Sequence, residues 1–367
     1  MISFANSLQT EAELSRLEHY LEQTFYLSER VNAFRKQKLY TMEIELSRRC
    51  DLECTYCYNA SSHNNDQHAD PDRCKDLLNE AAEYGIREIY WLGGEALQFP
   101  QIEDLLRHAK NLGLRNVVFT NGSRFTPGNI NTLLETTEWI SLHLDTIDPE
   151  VFRTLHNTKG DLAYKEFQQI LAGIDLLLEM GFPADRVRFT MVLTRDSLAT
   201  LRQTLEWAIW QKRFHSSTLV PLVDLGRARK GYGENSISRL ELRQAYQTRA
   251  EIEGRPELLR LGPSEFCKHY DLTNCYIDVF GNVFPYVGIP DICGNIYEEK
   301  IGDTLVREFD RLSYADSVDR TTFDSHLTGF CGDCENRRFC FGTRTYSYLS
   351  GGIHSSDPMC WRNSDND

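Results

Sequence analysis

Apolar positions recur along the chain with two periods, one helical and one extended. Leu14, Leu17, Leu21 and Phe25 fall at helical spacing, and Thr10 with Glu13 fits a capping box. Residues 10 to about 38 therefore read as a helical leader packed against the rest of the chain. From Thr41 onward, short apolar runs alternate with amphipathic segments. The runs Met42–Leu46, Glu88–Leu92, Asn116–Thr120, Trp139–Leu144, Val187–Leu193 and Thr218–Val223 predict strands. Between them, residues 72–84, 101–112, 128–136, 163–180 and 197–212 predict helices, with Pro71, Pro127 and Pro183 at helix starts or turns. This rhythm implies an α/β fold, a parallel sheet with right-handed crossovers. Six units are too few for a closed eight-stranded barrel, so the expectation is an open, partial (β/α)6 barrel. Its functional residues belong at the carboxyl ends of the strands.

Beyond about residue 235 the pattern changes. A helix near 238–252 leads into a turn-rich segment, where Tyr276–Phe280 and Val283–Tyr286 flank Gly281-Asn282 and predict a β-hairpin. The organisation expected is a helical leader (1–40), the partial barrel (41–235), a connecting helix (236–262) and a small cysteine-rich domain carrying the hairpin (263–367).

Composition narrows the function. Apolar residues make up 41% of 367, enough for a large core, and the net charge of −14 argues against a nucleic-acid surface. No run approaches the roughly 20 apolar residues that span a bilayer, and the first twenty residues lack the apolar core of a secretory signal. A cytoplasmic protein with reduced thiols is expected.

The eleven cysteines are not spread evenly. Three lie at Cys50, Cys54 and Cys57, Cys74 sits alone in a predicted helix as a small apolar residue, and seven lie between Cys267 and Cys360. Two cysteine zones separated by a cysteine-free stretch point to metal sites in two places. The first zone follows the first strand directly. Three thiolates on one short loop can hold three irons of a [4Fe–4S] cube and leave the fourth open, as a catalytic metal site requires. The second strand ends in Gly93-Gly94-Glu95, the third in Thr120-Asn121-Gly122 and the fourth in Ser141-Leu142-His143-Leu144-Asp145. Each has an ordinary reading: a turn for the glycines, a core histidine for His143, a helix cap for Asp145.

Taken in order, Cys50-x3-Cys54-x2-Cys57 with Tyr56, then Gly93-Gly94-Glu95, then Asn121 resemble the radical SAM enzymes. The resemblance implies a [4Fe–4S] cluster on Cys50, Cys54 and Cys57 whose fourth iron binds S-adenosylmethionine. It implies contacts to that cofactor from Tyr56, Gly93, Gly94, Glu95, Asn121 and Ser141. The chemistry implied is reductive cleavage of S-adenosylmethionine to a 5′-deoxyadenosyl radical, which takes a hydrogen atom from a substrate. An external donor such as flavodoxin or ferredoxin would supply the electron.

The C-terminal cysteines resemble the SPASM extension of that family, which carries two auxiliary [4Fe–4S] clusters. Cys331-x2-Cys334-x5-Cys340 with Cys360 matches the ligands of one. For the other, Cys267, Cys275 and Cys293 are present, but two family cysteines are replaced. Tyr286 follows Gly281-Asn282-Val283-Phe284-Pro285, and Arg344 stands beyond Cys340. Three arrangements are open: a three-cysteine cluster, a cluster completed by Tyr286, or no cluster there. Asp291, His143 and Tyr286 are the candidate acid–base groups. Val287 argues against sulfatase-type maturation. The family tendency implies maturation of a ribosomally made peptide by crosslinking, oxidation or epimerisation. The alternatives are a dehydrogenase or epimerase of a small molecule such as a sugar or aminocyclitol, and a non-catalytic electron carrier or zinc module.

Overall fold

The computed structural model describes residues 2–156, 161–264 and 266–363. Six parallel strands run in chain order: β1 (Thr41–Glu45), β2 (Glu88–Leu92), β3 (Arg115–Thr120), β4 (Thr137–His143), β5 (Val187–Leu193) and β6 (Ser216–Pro221). Each pairs with its predecessor, so all six expected strands form, within a residue or two of the predicted bounds. The sheet stays open at β6, as six units imply.

Alternation along the strands separates two packing faces. Ile89, Trp91, Val118 and Ile140 join Leu77, Leu105, Leu133 and Ile174 from the crossover helices in the main core. Tyr90, Val117 and Trp139 point the other way, against Leu17, Tyr20, Leu21 and Phe25. Those four belong to α1 (Ile2–Phe25), so the leader covers the face of the sheet that the crossover helices leave open. Because α1 begins at Ile2, Thr10 lies inside the helix and the expected capping box does not start it. The leader breaks instead at Tyr26, whose φ of 53° ends α1 and begins α2 (Leu27–Arg35). On α2, Arg30 is fully buried. It reaches Phe25 O, Thr273 Oγ1 and the Glu88 carboxylate, between the rings of Tyr40 and Tyr270.

Two helical expectations change. Residues 197–212 do not form one helix but Arg195–Leu198, Leu201–Glu206 and a π-turn over Trp207–Gln211. A helix at Pro149–Leu155 is added, with Asp148 accepting from the amides of Glu150 and Val151. Asp before Pro is a helix-start signal that the apolar periodicity of this short segment does not reveal.

The hairpin forms between β7 (Asn274–Ile277) and β8 (Asn282–Phe284), followed by β9 (Gly294–Asn295). Its turn is Asp278 to Gly281 rather than Gly281-Asn282. The Asp278 Oδ1 accepts from the amides of Phe280 and Asn282, and Gly281 takes a φ of 81°. The hairpin does not stand apart: β7 pairs parallel with β1, in register Thr41↔Asn274, and extends the barrel sheet to nine strands. Such pairing joins residues over two hundred positions apart, which no local pattern encodes.

Candidate active site

The loop carrying Cys50, Cys54 and Cys57 leaves β1 and is tied down by the ends of its neighbours. Gly94 N donates to Ser47 O at 2.6 Å and Glu95 N to Arg49 O at 3.0 Å. The two glycines permit this contact. A Cβ on Gly94 would lie 2.2 Å from Arg49 O and 2.8 Å from Cys50 Cβ, and one on Gly93 would lie 2.7 Å from Ser47 O. Thus the backbone these glycines admit is that of the cysteine loop itself, while both residues also line the cavity above it.

Glu95 is fully buried. Its carboxylate accepts from Leu97 N, Thr120 Oγ1 and Asn121 N, at 2.8 to 3.0 Å. Burial, with Asp51 nearby, pushes its pKa up to about 7. Glu95 therefore holds the end of β3 in place and does not itself line the cavity. Asn121 does line it. The amide of Asn121 donates to Asp51 Oδ1 at 3.1 Å and faces Cys50 Sγ at 3.8 Å, which ties β3 to the cysteine loop. Ser141 bonds Thr190 Oγ1 at 3.0 Å beneath the cavity, and Thr190 rather than Ser141 reaches its wall.

Tyr56 swings from the loop to the end of β4. Its hydroxyl contacts the Asp145 carboxylate and His143 Nε2, and His143 Nε2 lies 3.2 Å from Asp145 Oδ2. The other Asp145 oxygen accepts from Val192 N at 2.6 Å. Burial raises Asp145 to about 7 and lowers His143 to about 4, so the histidine is neutral at pH 7. Asp145 is thus a tether between β4, β5 and Tyr56 rather than a helix cap.

Sequence reasoning missed one clamp. Arg227, which the run Arg227, Arg229 and Lys230 suggests is solvated, donates Nε to Cys54 O at 2.8 Å and its amide to Cys57 O at 3.0 Å. Gly226, at φ 52°, passes so close that a Cβ would lie 2.3 Å from Cys57 O. The buried Arg227 Nη2 has no partner and adds positive charge beside Cys54 and Cys57. Only Arg229 and Lys230 are exposed. The signal available was a glycine before arginine five residues beyond the end of β6.

Cys50, Cys54 and Cys57 line one cavity at the carboxyl ends of the parallel strands, with Tyr56, Gly93, Gly94, Asn121, His143 and Tyr286. Burial raises all three thiols, Cys54 to about 12. Among the described residues no three His, Cys, Asp or Glu side chains converge closely enough for a single metal ion. Three cysteines on a loop pinned from β2, β3 and β6, with their thiols toward one cavity, suit the cube.

In the second zone, Cys331, Cys334, Cys340 and Cys360 come together: the first, second and fourth each raise the pKa of the Cys340 thiol. The other three separate. Cys275 and Cys293 are neighbours in the main core, whereas Cys267 sits in the leader-side core with Phe266, Tyr270 and Phe339. Tyr286 packs against that second core and lines the cavity. Asp291 lies outside the cavity, paired with Arg311 on the surface. Cys74 is buried in its helix.

Comparison with known proteins agrees with this geometry. The radical SAM superfamily profile matches residues 44–208. The chain is 24% identical to an AdoMet-dependent heme synthase of Methanosarcina barkeri, over 86% of this chain and 94% of that protein. It is 25% identical to a PqqA peptide cyclase of Ruegeria pomeroyi, over 88% and 87%. Its fold matches that of Streptococcus suis SuiB bound to the precursor peptide SuiA with a TM-score of 0.64, at 18% identity over 91% of this chain and 79% of that one. It also matches anSMEcpe with bound AdoMet, with a TM-score of 0.62, at 17% identity over 87% and 90%. No helix among the described residues is long and apolar enough to cross a membrane. The profile match spans the ordered motifs and the open parallel sheet that carries them, so residues 44–208 form a radical SAM domain.

Proposed function

We propose that Cys50, Cys54 and Cys57 hold a [4Fe–4S] cluster at which this enzyme cleaves S-adenosylmethionine, and that the substrate is a peptide undergoing maturation. When bound, that cluster supplies the electron that releases a 5′-deoxyadenosyl radical. The observation that carries the reading is the cysteine loop opening on the strand-end cavity while β2, β3 and β6 fix it from three sides. The chain's residues supply position. Gly93 and Gly94 bring β2 against the loop, Glu95 orients Asn121, and Tyr56 is held by Asp145 and His143. Walls of Leu52, Phe119, Val192 and Leu222 keep water from the reacting atoms.

The peptide substrate is supported by the relative named PqqA peptide cyclase and by the fold shared with SuiB, whose structure holds a precursor peptide. A second reading, oxidation of a small molecule, is favoured by the relative named AdoMet-dependent heme synthase, which aligns over most of both chains. We place a second cluster on Cys331, Cys334, Cys340 and Cys360. Separation of Cys267 from Cys275 and Cys293 favours no third cluster. The electron donor is proposed to be a flavodoxin or ferredoxin, and the compartment cytoplasmic.

Anaerobic reconstitution followed by 5′-deoxyadenosine measurement tests the chemistry. Turnover is expected in the wild-type chain and not in Cys54→Ala; a wild-type chain that never cleaves the cofactor overturns the reading. Perdeuterated candidate precursor peptides test the substrate, because deuterium is expected to appear in 5′-deoxyadenosine. Transfer only from a small molecule establishes the second reading.

A further inference from the structure

Two separate apolar groups line the cavity. Tyr56 and Leu222 pack beside Cys54 at the cysteine loop, whereas Phe119, Phe266 and Tyr286 pack with the leader-side core. The cofactor reading uses the first group and leaves the second, which forms an aromatic floor. Strand alternation puts it there. Trp91, Val118 and Leu219 join the main core, so Leu92, Phe119 and Val220, each one residue further on, turn to the cavity. Phe119 rests on Tyr90 with ring centres 5.6 Å apart, Tyr90 lies 5.4 Å from Tyr270, and Phe266 stacks on Tyr270 at 4.4 Å. Phe25 of α1 joins the set 5.9 Å from Phe266. Rings packed in this way cannot withdraw without opening the leader-side core.

The charged residues that border the cavity are shut away from it. Glu43 is 4% exposed, Asp271 6% and Arg344 3%, and no other Asp, Glu, Lys or Arg among the described residues lines it. Glu43 accepts from Asn274 Nδ2 at 3.1 Å and from the Tyr270 hydroxyl. Asp271 has an interaction of its own, and Arg344 holds Ile353 O and Ser355 O. His143, at the Tyr56 end, is neutral at pH 7. An ammonium or carboxylate brought onto the floor would lose its water and gain no open counter-charge, whereas an apolar side chain is covered without that cost. Tyr286 stands where the resemblance calls for a cluster-ligating cysteine, so at that position the chain places a ring of the floor instead of a ligand.

We propose that this floor receives an uncharged, apolar side chain of the substrate peptide, with Phe119, Phe266 and Tyr286 beneath it and Leu92, Val220 and Val287 around it. Aliphatic and aromatic residues are accepted there, and lysine, arginine, aspartate and glutamate are refused. The proposal rests on the reading of the cavity as a substrate site and makes that site selective.

The test uses saturation-transfer NMR on the reconstituted full chain, with S-adenosylmethionine present and no reductant. The probes are the N-acetyl N-methylamides of leucine, phenylalanine, lysine and glutamate. In wild type the leucine or phenylalanine probe is expected to bind about tenfold or more tightly than either charged probe. Val220→Asp places a carboxylate on the wall and is expected to remove that preference and bring the lysine probe level with the apolar ones or above them. Leu240→Asp adds the same charge at a residue 62% exposed, away from the cavity, and is expected to leave the preference as in wild type. Circular dichroism checks that each variant folds, and Val287→Asp repeats the comparison where Val220→Asp does not. A wild-type chain that prefers a charged probe, treats all the probes alike or binds none overturns the proposal, as does a preference unchanged in the folded cavity variant. This readout needs no turnover. A chain that shows the preference without cleaving S-adenosylmethionine refutes only the catalytic reading, and one that cleaves it but prefers a charged probe refutes only the apolar floor.

Discussion

Gly94 has no room for a side chain, because Arg49 O would stand 2.2 Å from its Cβ. Backbone cannot retreat cheaply, so Gly94→Ala is expected to displace the cysteine loop. Iron bound after reconstitution should fall from about eight toward about four per chain while far-UV circular dichroism stays near wild type. His215 makes a separate prediction about pH. It bonds Thr24 Oγ1 at 3.0 Å beneath α1, and burial, with Arg255 and Arg188 nearby, lowers its pKa to about 4. An unfolded histidine titrates near 6.5, so the unfolded chain takes the proton first as pH falls. The stability His215 confers is complete above about pH 6.5 and is lost progressively down to about pH 4, by roughly 2–3 kcal/mol. Urea denaturation at pH 7 and pH 5 should therefore show a smaller loss for His215→Gln than for wild type. Glu95 and Asp145, raised to about 7, oppose this trend, and the comparison cancels them because both chains carry them. None of these pKa values was legible from residue type, since burial and neighbours set them.

Among the elements, the leader is the one whose role changed most. Its apolar stripe was readable, but the stripe does not say which surface it meets. In the fold α1 closes the sheet face carrying Tyr90, Val117 and Trp139, and α2 drives Arg30 into the same interior against Glu88. Arg30→Met leaves the Glu88 carboxylate buried with only Thr41 Oγ1 beside it, at 2.9 Å. Breaking a buried pair in this way costs about 3–5 kcal/mol. Urea midpoints should show that loss, with partial recovery on adding Glu88→Gln, which removes the stranded charge. The six parallel strands were legible because each is a short apolar run between turn signals. The stretch 197–212 misled because its apolar spacing continues through two breaks. Thr194 and Ser197 cap each other at its start, and the π-turn at Trp207–Gln211 shifts its last residues.

At the scale of the molecule, the cysteines sort into one loop set of three, one gathered C-terminal set of four, the neighbouring pair Cys275 and Cys293, and the separate Cys74 and Cys267. The expected content is about eight irons per chain, two cubes, and not about twelve. Cys340→Ala should reduce it to about four, whereas Cys267→Ala should leave it unchanged, as iron and sulfide assays will report. The order of strands, the cysteine loop after the first, the glycine pair after the second and the asparagine after the third were all determined by the sequence alone. These are local patterns: a few adjacent residues suffice to make a strand end, a turn or a thiolate loop. Tertiary structure alone decided what those residues touch. It turned Gly94 toward the loop, gave Glu95 to the end of β3, bound Arg227 to Cys54 and Cys57, and sent Cys267 away from Cys275. Each of these depends on which strand lies beside which, and β7 beside β1 shows why. That contact joins positions over two hundred residues apart, and its energy comes from burial and pairing that exist only once the chain has folded.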